Sequence, residues 1–228
     1  MGRGILRVAF CAKARHGLGR MHFTLFRFPI RVEPWFWISI FLLGGGLRSD
    51  AFSSSARMAE IGIWMILAFF SVLIHELGHA ALGRRYGSDP IIVLQAFGGA
   101  AIMDPSRFTR VQHFLMVAAG PAASASLGIV SLAALVYLPG LGKDVSETLA
   151  QLVTINYYWT ILNLLPVQPL DGGQLLRIGL GERRQAATCV IGVVVAVVVA
   201  IYGLRQGQVF LTLIMALFAF ENWRAMRR

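Results

Sequence analysis

The sequence predicts an all-α polytopic membrane protein of six transmembrane helices, with a short re-entrant β-hairpin between helices 2 and 3. Three observations carry that expectation. The 228 residues are 57% hydrophobic and only 14% charged, a balance foreign to a soluble domain of this length. Apolar runs approaching the roughly 20 residues of a spanning helix recur along the whole chain, rather than once near its start. The basic residues fall between those runs: with both termini cytoplasmic, 17 of the 21 Lys and Arg lie on the cytoplasmic side, leaving Arg48, Arg57, Lys143 and Arg205 outside. Topology therefore accounts for the net charge of +10, and with no basic block interleaved with aromatics, nucleic acid is not expected as a partner.

Residues 1–33 form a basic cytoplasmic arm, with no acid before Glu33, ahead of a membrane domain at 34–228. The apolar patch from Ile5 to Ala12 is broken by Arg7 and is too short for a signal-peptide core. Leu6 stands where a myristoylation pattern needs Ser or Thr, and Met21 is a second candidate start. A bacterial or archaeal cell membrane is the expected location; the Arg-rich, acid-free leader is the one hint of an organelle. From His22 the chain alternates and carries Pro29 and Pro34, which predicts a short extended segment feeding the first helix. The six helices are expected at about 34–47, 59–83, 109–138, 148–165, 187–204 and 208–224. Cys11 and Cys189 have no metal or redox spacing and read as free thiols. The run Val193 to Ala200, with Trp35, Phe36, Trp37 and Trp159, reads as lipid-facing bulk and interface anchors.

DPIIVLQAFGGAAIMDP, residues 89–105, is apolar but only half a span long, bounded by Pro90 and Pro105. Two short strands around a turn at Gly98-Gly99 fit it, entering from the cytoplasmic side and returning. An amphipathic loop on the membrane surface is the alternative.

Polar groups interrupt the second helix at His75, Glu76 and His79. At about 100° per residue the two histidines are nearly eclipsed, one turn apart, with the glutamate on the adjacent face. This is H-E-x-x-H on a helix, the spacing that holds zinc between two imidazoles with the glutamate as general base. Ionisable groups at membrane depth are costly unless paired or functional. Hydrogen bonding to neighbouring helices is the alternative reading.

Zinc then needs a third protein ligand and an open position. A third histidine is excluded, because Arg85 stands where it would be. Of the eleven acids, Asp50, Glu60, Asp144 and Glu147 are assigned to the far side, while Glu33, Asp89, Asp104 and Glu182 sit before the first helix, beside the hairpin or in a polar loop. Glu221 is accounted for by an interfacial salt bridge. Asp171 remains, in NLLPVQPLDGGQLL, where Pro166 and Pro169 break helix four at membrane depth and Gly172-Gly173 lets backbone approach closely. Asn163, on the same stretch, is a candidate oxyanion or substrate-backbone donor, or equally a cap for the broken helix. His113 reads as an interfacial histidine, not a ligand.

HELGH at 75–79 followed by N-x-x-P-x-x-x-x-D-G at 163–172 resembles the site-2 protease family (M50) of intramembrane zinc metalloproteases. The resemblance spans essentially residues 22–224. Phe97, Gly98 and Gly99 resemble the family's re-entrant hairpin, and AAGP at 118–121 its third-helix signature. Ser124 departs from the asparagine of many members and is expected to touch no zinc ligand. With no stretch for a PDZ or CBS domain, the compact branch is implied. The resemblance implies one Zn2+ per chain on His75, His79 and Asp171, with Glu76 as catalytic base and Phe97, Gly98 and Gly99 near substrate. It also implies that a transmembrane protein substrate is cut within or beside its span, and leaves room for a regulatory membrane protein. A metal transporter is a weaker alternative, since the last two helices hold few polar residues, and so is an inactive binding homologue, which should have lost a ligand or Glu76.

Overall fold

The computed structural model describes residues 21–46 and 51–227; the leader at 1–20 lies outside the described residues, and Met21, the second candidate start, opens them. The chain runs through strands β1 (Met21–Leu25) and β2 (Phe28–Val32) and helices α1 (Pro34–Phe41) and α2 (Ser55–Arg85). Strands β3 (Ile91–Gln95) and β4 (Gly98–Ile102) follow, then α3 (Arg110–Tyr137), α4 (Lys143–Leu164), α5 (Asp171–Leu180), α6 (Gln185–Arg205) and α7 (Val209–Met226). Four of these helices, α2, α3, α6 and α7, are long and apolar enough to cross a membrane. The protein is an integral membrane protein built largely from helices.

The extended segment expected after residue 22 is a hairpin, and it does more than feed α1. β2 pairs in parallel with β3, giving one four-stranded sheet in the order β1-β2-β3-β4. Phe28, Ile30 and Val32 point inward, and with Ile92 and Leu94 they pack on Phe36, Val72 and Leu73. Pro29, which has no N–H to give, precedes the β2–β3 ladder, which begins at Ile30 opposite Ile92. Arg84, at the end of α2, fastens the β1–β2 turn: its guanidinium donates to the carbonyls of Phe26 (2.9 Å) and Arg27 (2.6 Å).

The hairpin between α2 and α3 is present, but its turn is Ala96-Phe97, with Gln95 opposite Gly98, and not Gly98-Gly99. Phe97 takes the left-handed conformation (φ 66°). The glycines are used otherwise: Gly98 has φ 146°, and Gly99 lets β4 lie against α2. The stretch expected to be a plain connection at 171–186 contains α5, whose opening Asp-Gly-Gly has poor helix propensity. Phe36 is a core residue rather than lipid-facing, fully buried with its ring edge on Phe69 at 6.1 Å. Trp159 is likewise turned inward, its ring 6.4 Å from that of His75. Trp35 is exposed, as expected of an anchor.

Candidate metal centre

His75 and His79 leave α2 on one face, as their spacing requires, and Asp171, the first residue of α5, rises to meet them. His75 Nε2 lies 3.0 Å from Asp171 Oδ2 and 3.1 Å from His79 Nε2, and His79 Nε2 lies 3.4 Å from the same carboxylate oxygen. All three side chains are buried, and among the described residues this is the one group of His, Cys, Asp or Glu arranged to hold a metal ion. His113 is not part of it.

The remaining ring nitrogens show what the cluster fits. His79 Nδ1 is 2.9 Å from the Met116 carbonyl, which can only accept, so Nδ1 carries a hydrogen and Nε2 is the nitrogen whose lone pair the neutral ring can offer a metal. His75 Nδ1 is 2.9 Å from Ser124 Oγ. His79 Nε2 and the Asp171 oxygen converge with His75 Nε2 in a buried space, a donor set that a divalent cation would satisfy at once. Two imidazoles and a carboxylate, each ring steadied through its other nitrogen, is the chemistry of a catalytic zinc site.

Local backbone explains why the groups can meet. A Cβ on Gly78 would meet the Ala119 carbonyl oxygen at 2.5 Å, and one on Gly120 would collide with both imidazoles, so the glycines of HELGH and AAGP let α2 and α3 close around the rings. At the α4–α5 break, a Cβ on Gly172 would strike the carbonyls of Leu164 and Leu165, and one on Gly173 would meet Val167 at 2.5 Å. Asp171-Gly-Gly can thus fold back onto the end of α4. Arg110 closes the other end of α5, donating to the carbonyls of Ile178 (2.8 Å) and Gly179 (2.6 Å).

Glu76 is buried beside the three donors but outside the set. Above it lies β4: a Cβ on Gly99 would meet Glu76 Cγ at 2.5 Å. A cavity of about 520 Å3 opens here, walled by His75, Glu76, His79, Asp171, Asn163 and the hairpin from Gln95 to Ala101. Asn163 does not cap α4; its Nδ2 donates to the Trp159 carbonyl at 2.9 Å, within its own helix, leaving one amide hydrogen and the oxygen uncommitted.

Comparison with known proteins meets this geometry from both halves. The model of Peptidase family M50 matches residues 141–203, which contain the α4–α5 break and Asp171. The solved structure of a site-2 protease from Methanocaldococcus jannaschii covers 92% of this chain and 96% of its own, at a TM-score of 0.63 and 25% identity. The chain is similar to peptidase family M50. A zinc metalloprotease of M. jannaschii is 31% identical over 166 residues, 69% of this chain and 47% of that protein. Rip3 of Mycobacterium tuberculosis is 38% identical over 125 residues, 54% of this chain and 31% of that one. The chain thus spans less than half the length of the curated relatives it matches. Those relatives name zinc, and the His75, His79 and Asp171 group is built to take it.

One expectation about this site is overturned. Ser124 does touch a ligand, through its hydroxyl on His75 Nδ1, and it is fully buried. A helical-wheel reading of α3 alone carries no signal for that contact. It needs the α2–α3 crossing, which Gly78 and Gly120 set. Partners of this kind typically contribute 10- to 100-fold in metal affinity. Ser124→Ala is therefore expected to weaken zinc by about that factor in a chelator competition assay; unchanged affinity would show the contact to be idle.

Proposed function

We propose that this chain is an intramembrane zinc endopeptidase that hydrolyses a peptide bond within or beside a transmembrane segment of a protein substrate. The observation that carries the reading is the place of Glu76: a carboxylate next to a two-histidine, one-aspartate donor set, beneath a strand with an open edge, in one cavity. Zinc bound by His75, His79 and Asp171 would supply a Lewis acid for the scissile carbonyl and make water acidic enough to attack near neutral pH. Glu76 takes the proton of the attacking water and later delivers it to the departing amine. The uncommitted amide hydrogen of Asn163 is placed on the cavity wall to steady the developing oxyanion or the substrate backbone.

A helical substrate hides its amides in its own hydrogen bonds, so the target bond must be drawn out as extended chain. β4 ends the sheet order, and its Gly98 to Ala101 stretch lines the cavity. An unwound substrate segment pairs there as a fifth strand, with Phe97, Gly98 and Gly99 at the entrance. The hairpin enters the membrane from the cytoplasmic side, and both termini are cytoplasmic, as the basic residues require. A transmembrane substrate and a regulatory membrane protein are the partners this reading calls for.

The reading is tested with purified protein and single-span peptides in detergent, cleavage being followed by mass spectrometry. Cleavage that stops on chelation and returns with one equivalent of zinc is expected. Cleavage indifferent to chelation, or none across a panel of spans by zinc-loaded protein, would sink it.

A further inference from the structure

We infer that Asn222, on the last helix, is a positioning residue for the third metal ligand, its carboxamide pairing with both backbone groups of Gln168 and so holding the α4–α5 break in the form that delivers Asp171. This rests on Asp171 being a ligand, as argued above.

The break leaves backbone without helical partners where water is scarce, and Pro166 and Pro169 on either side of Gln168 rule out a regular ladder. Asn222 fills that gap. Its Nδ2 donates to the Gln168 carbonyl at 2.7 Å, and its Oδ1 accepts from the Gln168 amide at 3.4 Å. The second Nδ2 hydrogen goes to the Phe218 carbonyl at 2.8 Å within α7. A carboxamide offers a donor and an acceptor side by side, as a neighbouring strand would; an isosteric carboxylate offers acceptors alone.

The surroundings are shaped around this contact. Asn222 is 2% exposed. A Cβ on Gly192 of α6 would collide with its Oδ1, so Gly192 keeps the seat open. Beside it Val167, fully buried, packs on Ala196 of α6 and Ala219 of α7. From the clamped residue the chain reaches Asp171 in three steps, stiffened by the Leu170 amide donating to the Val167 carbonyl at 2.8 Å. The place of Asp171 is thereby tied to helices that give no metal ligand of their own.

Two variants loosen the clamp differently. Asn222→Asp removes the donors at nearly constant shape, and Gly192→Ala keeps Asn222 but pushes it from its seat. Met215→Ala, a buried position on α7 two turns away, is the control for packing loss alone. Asn222→Asp and Gly192→Ala are each expected to weaken zinc by about 10- to 100-fold in chelator competition, and to shift the visible spectrum of the cobalt(II) form. Met215→Ala is expected to lower the melting temperature and leave affinity and spectrum as in the wild type. Wild-type zinc affinity in a folded Asn222→Asp or Gly192→Ala protein overturns the inference, as does an equal loss in Met215→Ala. If Asp171→Asn binds zinc like the wild type, the ligand assignment itself fails; if Asp171→Asn loses zinc while both clamp variants keep it, the clamp alone fails.

Discussion

Glu76→Gln is expected to carry as much zinc as the wild type and to cleave about 10²- to 10⁴-fold more slowly, the range that a positioned general acid–base contributes. The substitution keeps the size of the side chain, and the space beneath β4 is too tight for anything larger, since even a Cβ on Gly99 would meet Glu76 Cγ at 2.5 Å. It removes only the ability to take a proton from water and return it to the amine. Glu76 stands outside the donor set, so the metal should be indifferent to the change. Zinc content by elemental analysis and turnover on the same preparation check both halves. Comparable cleavage by Glu76→Gln would remove the general-base role.

Asp171→Asn is expected to lose both zinc and cleavage. Its Oδ2 lies 3.0 Å from His75 Nε2 and 3.4 Å from His79 Nε2, and it gives the site its one anionic ligand. Asparagine offers a neutral oxygen or two hydrogens, and the hydrogens would face a lone pair on His79. The metal is expected to fall from about one per chain to near none, with the fold kept, because the α4–α5 break is set by prolines, glycines and the Asn222 contact rather than by this carboxylate. The two variants thus separate: one inactive and loaded, the other inactive and empty. A loaded Asp171→Asn protein would return the third ligand to another acid.

What could be read from the chain alone was what rests on short-range periodicity. His75 and His79 share a face because four residues make about one turn, and Asp171 stood out because two prolines must break a helix wherever they fall. The hairpin was legible from its length and its bounding prolines, but its turn was not. Gly98-Gly99 looked like turn residues, whereas Gly99 is needed for the close pass over Glu76, and Phe97 takes the left-handed turn position in their stead. The sheet was missed because its decisive pairing, Ile30 with Ile92, joins strands sixty residues apart across α1 and α2. Ser124, Gly120 and Asn222 were illegible for the same reason. Each matters through a helix crossing, and a residue's own neighbours do not disclose what crosses it. Trp159 and Phe36 show the complementary error, since in a largely apolar chain hydrophobicity does not tell a lipid-facing ring from a buried one.

The central claim, that two α2 histidines and the aspartate opening α5 hold one zinc, is tested most directly by zinc-edge X-ray absorption on the purified chain. About one zinc per chain, with two imidazole nitrogens near 2.0–2.1 Å, further oxygen ligands at similar distance and no sulfur, is the predicted result. A sulfur ligand, a single imidazole, or a chain that takes up no zinc would contradict it.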